Sequence, residues 1–296
     1  MDSSTTKALS ERRILYIILL VLLFVGPNIP LIVPIPLEPW VQDFYNVIET
    51  LRPGDNVLLH WGISTKADVW DIAPLTVEHI IKKGANIIWV DRSVEAGPLG
   101  QELRIYLWGS DWKNNPTGSL KGYKYGTRFT YMGYLSEGGT VEEGTVSMLQ
   151  NFQRTFAVGD AFGTLLSQLP TVSKLRDVRD IKVHYGLGGW SPDTTPRQME
   201  ILMASKVPIL SGGTATMLAG RNMNLYVIKQ LAGMVGGVRN AAEYAFLTGT
   251  PSKAMGYMVT LILCALVLIT GVLGRNLLPL LRGEKPVTRT SKKEGT

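Results

Sequence analysis

Three histidines, His60, His79 and His184, are the side chains of this sequence whose ordinary pKa lies close to neutrality. No two stand at the short spacing of a metal site, and the single cysteine, Cys264, is remote from all three in sequence. A metal is therefore not expected, and no motif calls for another cofactor. His60 and His184 each fall late in a run of β-forming residues, 56–61 and 181–185, which puts both near the carboxyl ends of strands. If those strands are neighbours, the two imidazoles approach each other or Asp68, Asp71 and Asp193, an arrangement suited to acid–base chemistry. Ser64, in Gly62-Ile63-Ser64-Thr65-Lys66, has the first half of a nucleophile elbow and lacks its second glycine. His60, Ser64, Asp68 and His184 are the catalytic candidates, set against the ordinary account of histidines buried beside Trp61 and Tyr185.

The stretch Ser211-Gly212-Gly213-Thr214-Ala215-Thr216 offers a different chemistry. Amides flanked by glycine can turn inward around an anion, and hydroxyls add donors. Ser211, Gly212, Gly213 and Thr214 are therefore ligand-binding candidates, although turn chemistry alone uses the same residues. Gly186-Leu187-Gly188-Gly189 begins like a dinucleotide fingerprint, but its third glycine is displaced and Trp190-Ser191-Pro192 stands where a helix should open. No Gly-x-x-x-x-Gly-Lys-Ser/Thr stretch occurs, which disfavours a P-loop ATPase. Tyr123, Tyr125, Tyr131 and Tyr134 alternate with Lys121, Lys124 and Arg128, as a surface for single strands would, but a half-buried hairpin has the same composition. Nucleic acid is not an expected partner.

The elements that must position these residues alternate in type. β-Rich runs at 56–61, 86–90, 128–132, 181–185 and 207–210 are separated by helical patterns at 76–83, 141–156, 162–169 and 196–206. The alternation predicts an α/β domain with a mainly parallel sheet, whose ligands bind outside the carboxyl ends of the strands. Five loops rich in small polar residues would converge there: 62–65, 91–93, 136–140, 186–191 and 211–216. Pro208 should mark a strand start or an edge. Between 97 and 126 the density of Gly, Asn and Pro reads as a surface excursion. A last helix is expected at about 223–247, carrying Gly233, Gly237 and Ala241 at spacing four as a helix-packing face.

Composition places this domain between two apolar segments. The 296 residues are 45% hydrophobic, ordinary for a soluble protein, but only 18% charged and with a high mean hydropathy of +0.12, which argues against an all-soluble globule. Residues 14–33 and 254–273 each run twenty positions without a charge, enough for a helix of about 30 Å, the thickness of a bilayer core. Residues 1–13 carry a net charge of +1 and residues 274–296 a net +4, leaving +1 of the total +6 for everything between. Positive flanks stay cytoplasmic, so both termini should face the cytoplasm and the middle the other side.

The expected layout is a cytoplasmic N-terminus (1–13), transmembrane helix (14–33), extracytoplasmic α/β domain (34–253), second transmembrane helix (254–273) and basic cytoplasmic tail (274–296). The expected function is noncatalytic: a membrane-anchored ligand-binding or assembly subunit. Its expected partners are the lipid bilayer and either other membrane proteins or further copies of itself. The alternatives are a membrane-tethered, hydrolase-like enzyme acting at the strand-end loops, and an accessory subunit of a transport system.

Overall fold

A computed structural model of the chain describes residues 3–29, 32–63, 65–66, 68–117, 122–135, 141–188 and 196–281. Two compact units form, one from residues 32–255 and one from residues 1–31 with 256–296. In chain order the elements are α1 (Ser3–Val25), α2 (Pro39–Glu49), β1 (Asn56–Gly62), α3 (Ala73–Lys82), β2 (Asn86–Asp91), α4 (Gly97–Trp108), β3 (Phe129–Tyr134), α5 (Val141–Gln150), α6 (Phe152–Thr155), β4 (Val183–Gly188), α7 (Pro196–Ala204), β5 (Ile209–Gly213), α8 (Ala215–Met217), α9 (Met223–Val227), β6 (Gly233–Gly236), α10 (Gly237–Thr248) and α11 (Lys253–Leu281).

The larger unit is an α/β domain around one parallel sheet of order β3-β2-β1-β4-β5-β6. Its central strands are apolar on both sides, as Val57-Leu58-Leu59 and Ile87-Ile88-Trp89-Val90 show, because a parallel sheet is covered on both faces. Alternate residues point to opposite faces. Leu58, Ile88, Val90 and Ile209 turn toward a cluster built with Met148, Leu149 and Phe152 of α5 and α6, Leu202 of α7 and the 166–181 segment. Trp61, Trp89 and Tyr185 turn the other way. There Phe44 of α2 meets the Tyr185 ring edge-on at 5.2 Å, and Trp108 of α4 stacks on Phe129 at 4.4 Å.

The chain departs from the sequence expectations in four places. Residues 97–108 form α4, a crossover helix covering the sheet between β2 and β3, where a surface excursion was expected. Gly97 and Pro98 suggested a loop, yet proline in the first turn of a helix costs nothing because its missing N–H would have no partner there. The helix expected over 141–156 is interrupted at Asn151, whose side chain caps α6 by accepting from the Arg154 amide at 3.0 Å. Over 162–169 there is only a short 3-10 turn, because the Asp160 carboxylate takes the amides of Phe162 (2.9 Å) and Thr164 (2.8 Å) and so competes with helix formation. Pro208 immediately precedes β5, and its carbonyl accepts the His184 amide at 3.0 Å.

The fourth departure concerns the late helix. Residues 233–236 are strand β6, so Gly233, Gly237 and Ala241 do not share one helical face. Gly233 lets α2 lie directly on the sheet, since a Cβ there would overlap the Phe44 backbone. Gly237 starts α10 with a φ of +70°, a conformation that favours glycine. Of the three, only Ala241, fully buried, lies in the interior of a helix. The small residues serve close approach of a helix to a strand.

Lys253–Gly274 of α11, most of which belongs to the smaller unit, is long and apolar enough to cross a membrane, while the apolar stretch Arg13–Asn28 is shorter. The two run antiparallel: Gly26 packs on Thr260, Gly256 on Pro27 and Gly271 on Leu15. A Cβ at Gly256 would stand 2.6 Å from the Pro27 carbonyl oxygen, so Gly256→Leu must push the helices apart. In a chain with Cys264→Ser, cysteines introduced at Leu15 and Gly271 are expected to crosslink, and adding Gly256→Leu should abolish the crosslink.

Candidate functional site

Strand order reverses between β1 and β4, and in open α/β sheets the crevice outside the carboxyl ends at such a point is where ligands bind. The residues ending the strands there are alike. Gly62 of β1 pairs with Gly188 of β4, and Gly213 of β5 with Gly236 of β6. The pairing of Leu187 with Gly212 brings Gly188 beside Gly213. Four neighbouring strands thus end on glycines in register, all on the face that also carries His60, His184 and Ser211. At Gly236 packing alone requires glycine, since a Cβ there would overlap the Gly213 carbonyl. Gly213 is less confined: its Cβ would lie 3.3 Å from the Met217 sulfur and 3.5 Å from the Gly188 carbonyl oxygen.

Beneath this edge lies a buried polar layer. His184 Nε2 stands 3.3 Å from His60 Nδ1, with the rings nearly perpendicular. One nitrogen donates and the other accepts, so the contact suits two neutral imidazoles. Burial first, and then the Arg92 charge, push the His184 pKa down to about 3. With both rings no more than 1% exposed, the pair is an enclosed hydrogen-bonded element. His184 Nδ1 has no hydrogen-bond partner among the described residues.

Alongside, the Asn222 side-chain amide donates to Ser211 Oγ at 3.0 Å, both residues being buried. Asn222 Oδ1 has no partner among the described residues. Buried polar atoms are rarely left in that state, so these two mark a layer with unused hydrogen-bonding capacity directly under the glycine edge.

The structure brings some of the candidate residues together and separates others. His60 and His184 meet. Ser64 lies outside the described residues, as does the side chain of Asp68, which begins a 3-10 turn. Asp193 and the loops at 136–140 and 189–195 also lie outside them. Ser211 and Gly213 face the histidine layer. Gly212 faces the opposite side, where a Cβ would sit 2.8 Å from the Tyr185 hydroxyl and overlap Leu187. Thr214 caps the short helix α8 by accepting from the Met217 amide at 3.4 Å, and its hydroxyl also touches that of Thr216 at 2.9 Å.

His79 belongs to the other face, where its ring nitrogens contact the Tyr244 hydroxyl (2.7 Å) and Glu49 (2.8 Å). No motif pointed to Asn222, which sits in an irregular Gly-containing turn and acquires its partner only through the fold.

Asp91, at the end of β2, is also turned away from the edge. It is buried, and burial raises its pKa. Its carboxylate accepts from Trp89 Nε1 at 2.9 Å and from the Tyr131 hydroxyl at 2.5 Å. The Arg104 guanidinium lies 3.9 Å over the Tyr131 ring and 5.0 Å from that of Trp89, so ring faces receive the cation, while its Nε and Nη1 have no hydrogen-bond partner among the described residues. The cation next to the edge is Arg92, whose amide extends the β1–β2 pairing by donating to the Trp61 carbonyl at 2.7 Å.

No three His, Cys, Asp or Glu side chains gather as a metal site among the described residues. The chain matches no protein-family model, no curated protein and no solved structure.

Proposed function

We propose that this chain is a two-pass membrane protein, with both termini cytoplasmic, whose extracytoplasmic α/β domain is a noncatalytic ligand-binding or assembly subunit. We further propose that the domain holds a small anion at the carboxyl edge of β1, β4 and β5. The observation that carries the site is the register of Gly62, Gly188 and Gly213 at the reversal of strand order. Gly62 there keeps part of its surface open, while Gly188 and Gly213 are buried and carry no side chain to stand between a ligand and their main chain, with Arg92 adjacent and the Ser211–Asn222 pair below.

The membrane reading is supported by exposure. Ile17 and Phe24 of α1 and Leu261 and Ile269 of α11 are each more than half exposed, a state that lipid accepts and water penalises. The net +4 of the tail supports its cytoplasmic placement.

The test is thermal unfolding of the full chain in mild detergent against a panel of phosphate, sulfate, carboxylates and nucleotides. A true ligand raises the midpoint with concentration, and Gly213→Val should remove that rise while leaving the unliganded midpoint within a few degrees. A panel with no effect, or a rise that Gly213→Val leaves intact, overturns the site. For the assembly role, purification in the same detergent should yield a discrete oligomer or a copurifying membrane partner, and a lone monomer speaks against it.

A membrane-tethered enzyme is the second reading, favoured by the His60–His184 contact. It requires that His60→Asn or His184→Asn abolish turnover of a bound ligand while binding persists.

A further inference from the structure

A cavity of about 290 Å³ opens within the α/β unit between the 3-10 turn Asp68–Asp71, the start of α3, Tyr106 of α4 and the segment entering α11. It lies on the helical face of the sheet opposite the histidine pair. Its lining includes Trp70, Asp71, Pro74, Tyr106, Ser252 and Lys253.

The lining divides into two chemistries. Trp70, Tyr106 and Asp71 are the groups that receive an organic ammonium, through ring quadrupoles and a carboxylate. Trp70 already takes a cation in this way, with Lys66 Nζ 5.3 Å from its ring centroid. Lys253 supplies the opposite charge, suited to a phosphate. The Ser252 hydroxyl accepts from the Met255 amide at 3.1 Å and so fixes the start of the helix from which Lys253 projects.

Lys253 is at once a wall of the cavity and the first residue of the apolar stretch that runs to Gly274. A ligand that places an ammonium and a phosphate at this point and carries an apolar remainder has the chemistry of a zwitterionic phospholipid. The volume is at the small end for organic ligands, enough for a headgroup and not for acyl chains.

We propose that this cavity is a headgroup site for one zwitterionic phospholipid, its ammonium held by Trp70, Asp71 and Tyr106 and its phosphate by Lys253. The site is independent of the glycine edge. It rests on α11 entering lipid, which resistance of the chain to an alkaline carbonate wash of vesicles carrying it tests separately.

Native mass spectrometry of the full chain in mild detergent tests it, with phosphatidylethanolamine, phosphatidylglycerol and glycerophosphoethanolamine as probes. One phosphatidylethanolamine should be retained per chain under conditions that strip the other two. Tyr106→Ala and Lys253→Glu, both at exposed positions, should each weaken retention about tenfold while the fold persists. Gly213→Val should leave retention unchanged. Equal retention of phosphatidylglycerol would overturn the zwitterion assignment, and equal retention of glycerophosphoethanolamine would point to a soluble ligand instead. Variants that hold the lipid as tightly as the parent would place it elsewhere on the chain.

Discussion

Replacing His184 by leucine is expected to remove about 2 kcal/mol of acid sensitivity from the α/β domain between pH 7 and pH 5. His184 is completely buried, and burial first, then the Arg92 charge, holds its pKa at about 3, against about 6.5 in an unfolded chain. The unfolded chain therefore takes up a proton that the folded domain refuses. The contribution of this group to stability is complete above about pH 6.5 and is lost as pH falls toward 3, at about 1.4 kcal/mol per unit.

Other groups titrate in the same window. His79 is held below its ordinary value by burial, which adds acid sensitivity. Asp91 and Glu243 are held above theirs by burial, which opposes it. The decisive quantity is therefore the difference in slope between parent and His184→Leu, read from denaturant unfolding of the detergent-solubilised chain at several pH values. The fully buried Trp61, Trp89 and Trp108 provide the fluorescence signal. Parallel slopes would mean that His184 is charged or hydrated in the folded domain.

The two central glycines of the 211–216 segment should respond in opposite ways. Gly212→Val drives methyl groups into Leu187 and the Tyr185 hydroxyl, which itself contacts Thr76 Oγ1 at 3.0 Å. Overpacking at a site with the buried Leu187 side chain on one side and a hydrogen-bonded tyrosine on the other should cost about 3 kcal/mol. Gly213→Ala meets only the flexible Met217 side chain and the edge of van der Waals contact with Gly188, so its stability should change by less than about 1 kcal/mol. Denaturant midpoints of the two variants measured side by side check this. Comparable losses would mean that β5 is not oriented with Gly212 toward Tyr185.

The sheet was legible because its strands are long apolar runs separated by helical patterns, but the meeting of His60 with His184 depended on whether those two strands pair, which the residues alone do not specify. What the residues alone did not reveal was β6. Gly233-Met234-Val235-Gly236 is only four residues long, has a glycine at each end, and is a strand because α2 covers it and β5 pairs with it. The same ambiguity made Gly233, Gly237 and Ala241 resemble a helical stripe, since a spacing of four residues carries no record of the chain leaving the helix between them. α4 was obscured for another reason: Gly97, Pro98 and Gly100 are loop residues by propensity, and burial of Leu103, Leu107 and Trp108 overrides them. Within the candidate site, glycine richness was readable, but the facing of Gly212 and Gly213 was not. It depends on strand register, which turn residues do not specify.

Protease digestion of sealed right-side-out vesicles carrying the full chain, with antibodies to the α/β domain and to the C-terminal tail, bears most directly on lipid as the solvent of α1 and α11. Trypsin added outside should cleave within residues 32–255 and leave the tail epitope intact until the vesicles are lysed. A protected domain with a digested tail, or a chain washed off the vesicles by alkaline carbonate, would contradict it.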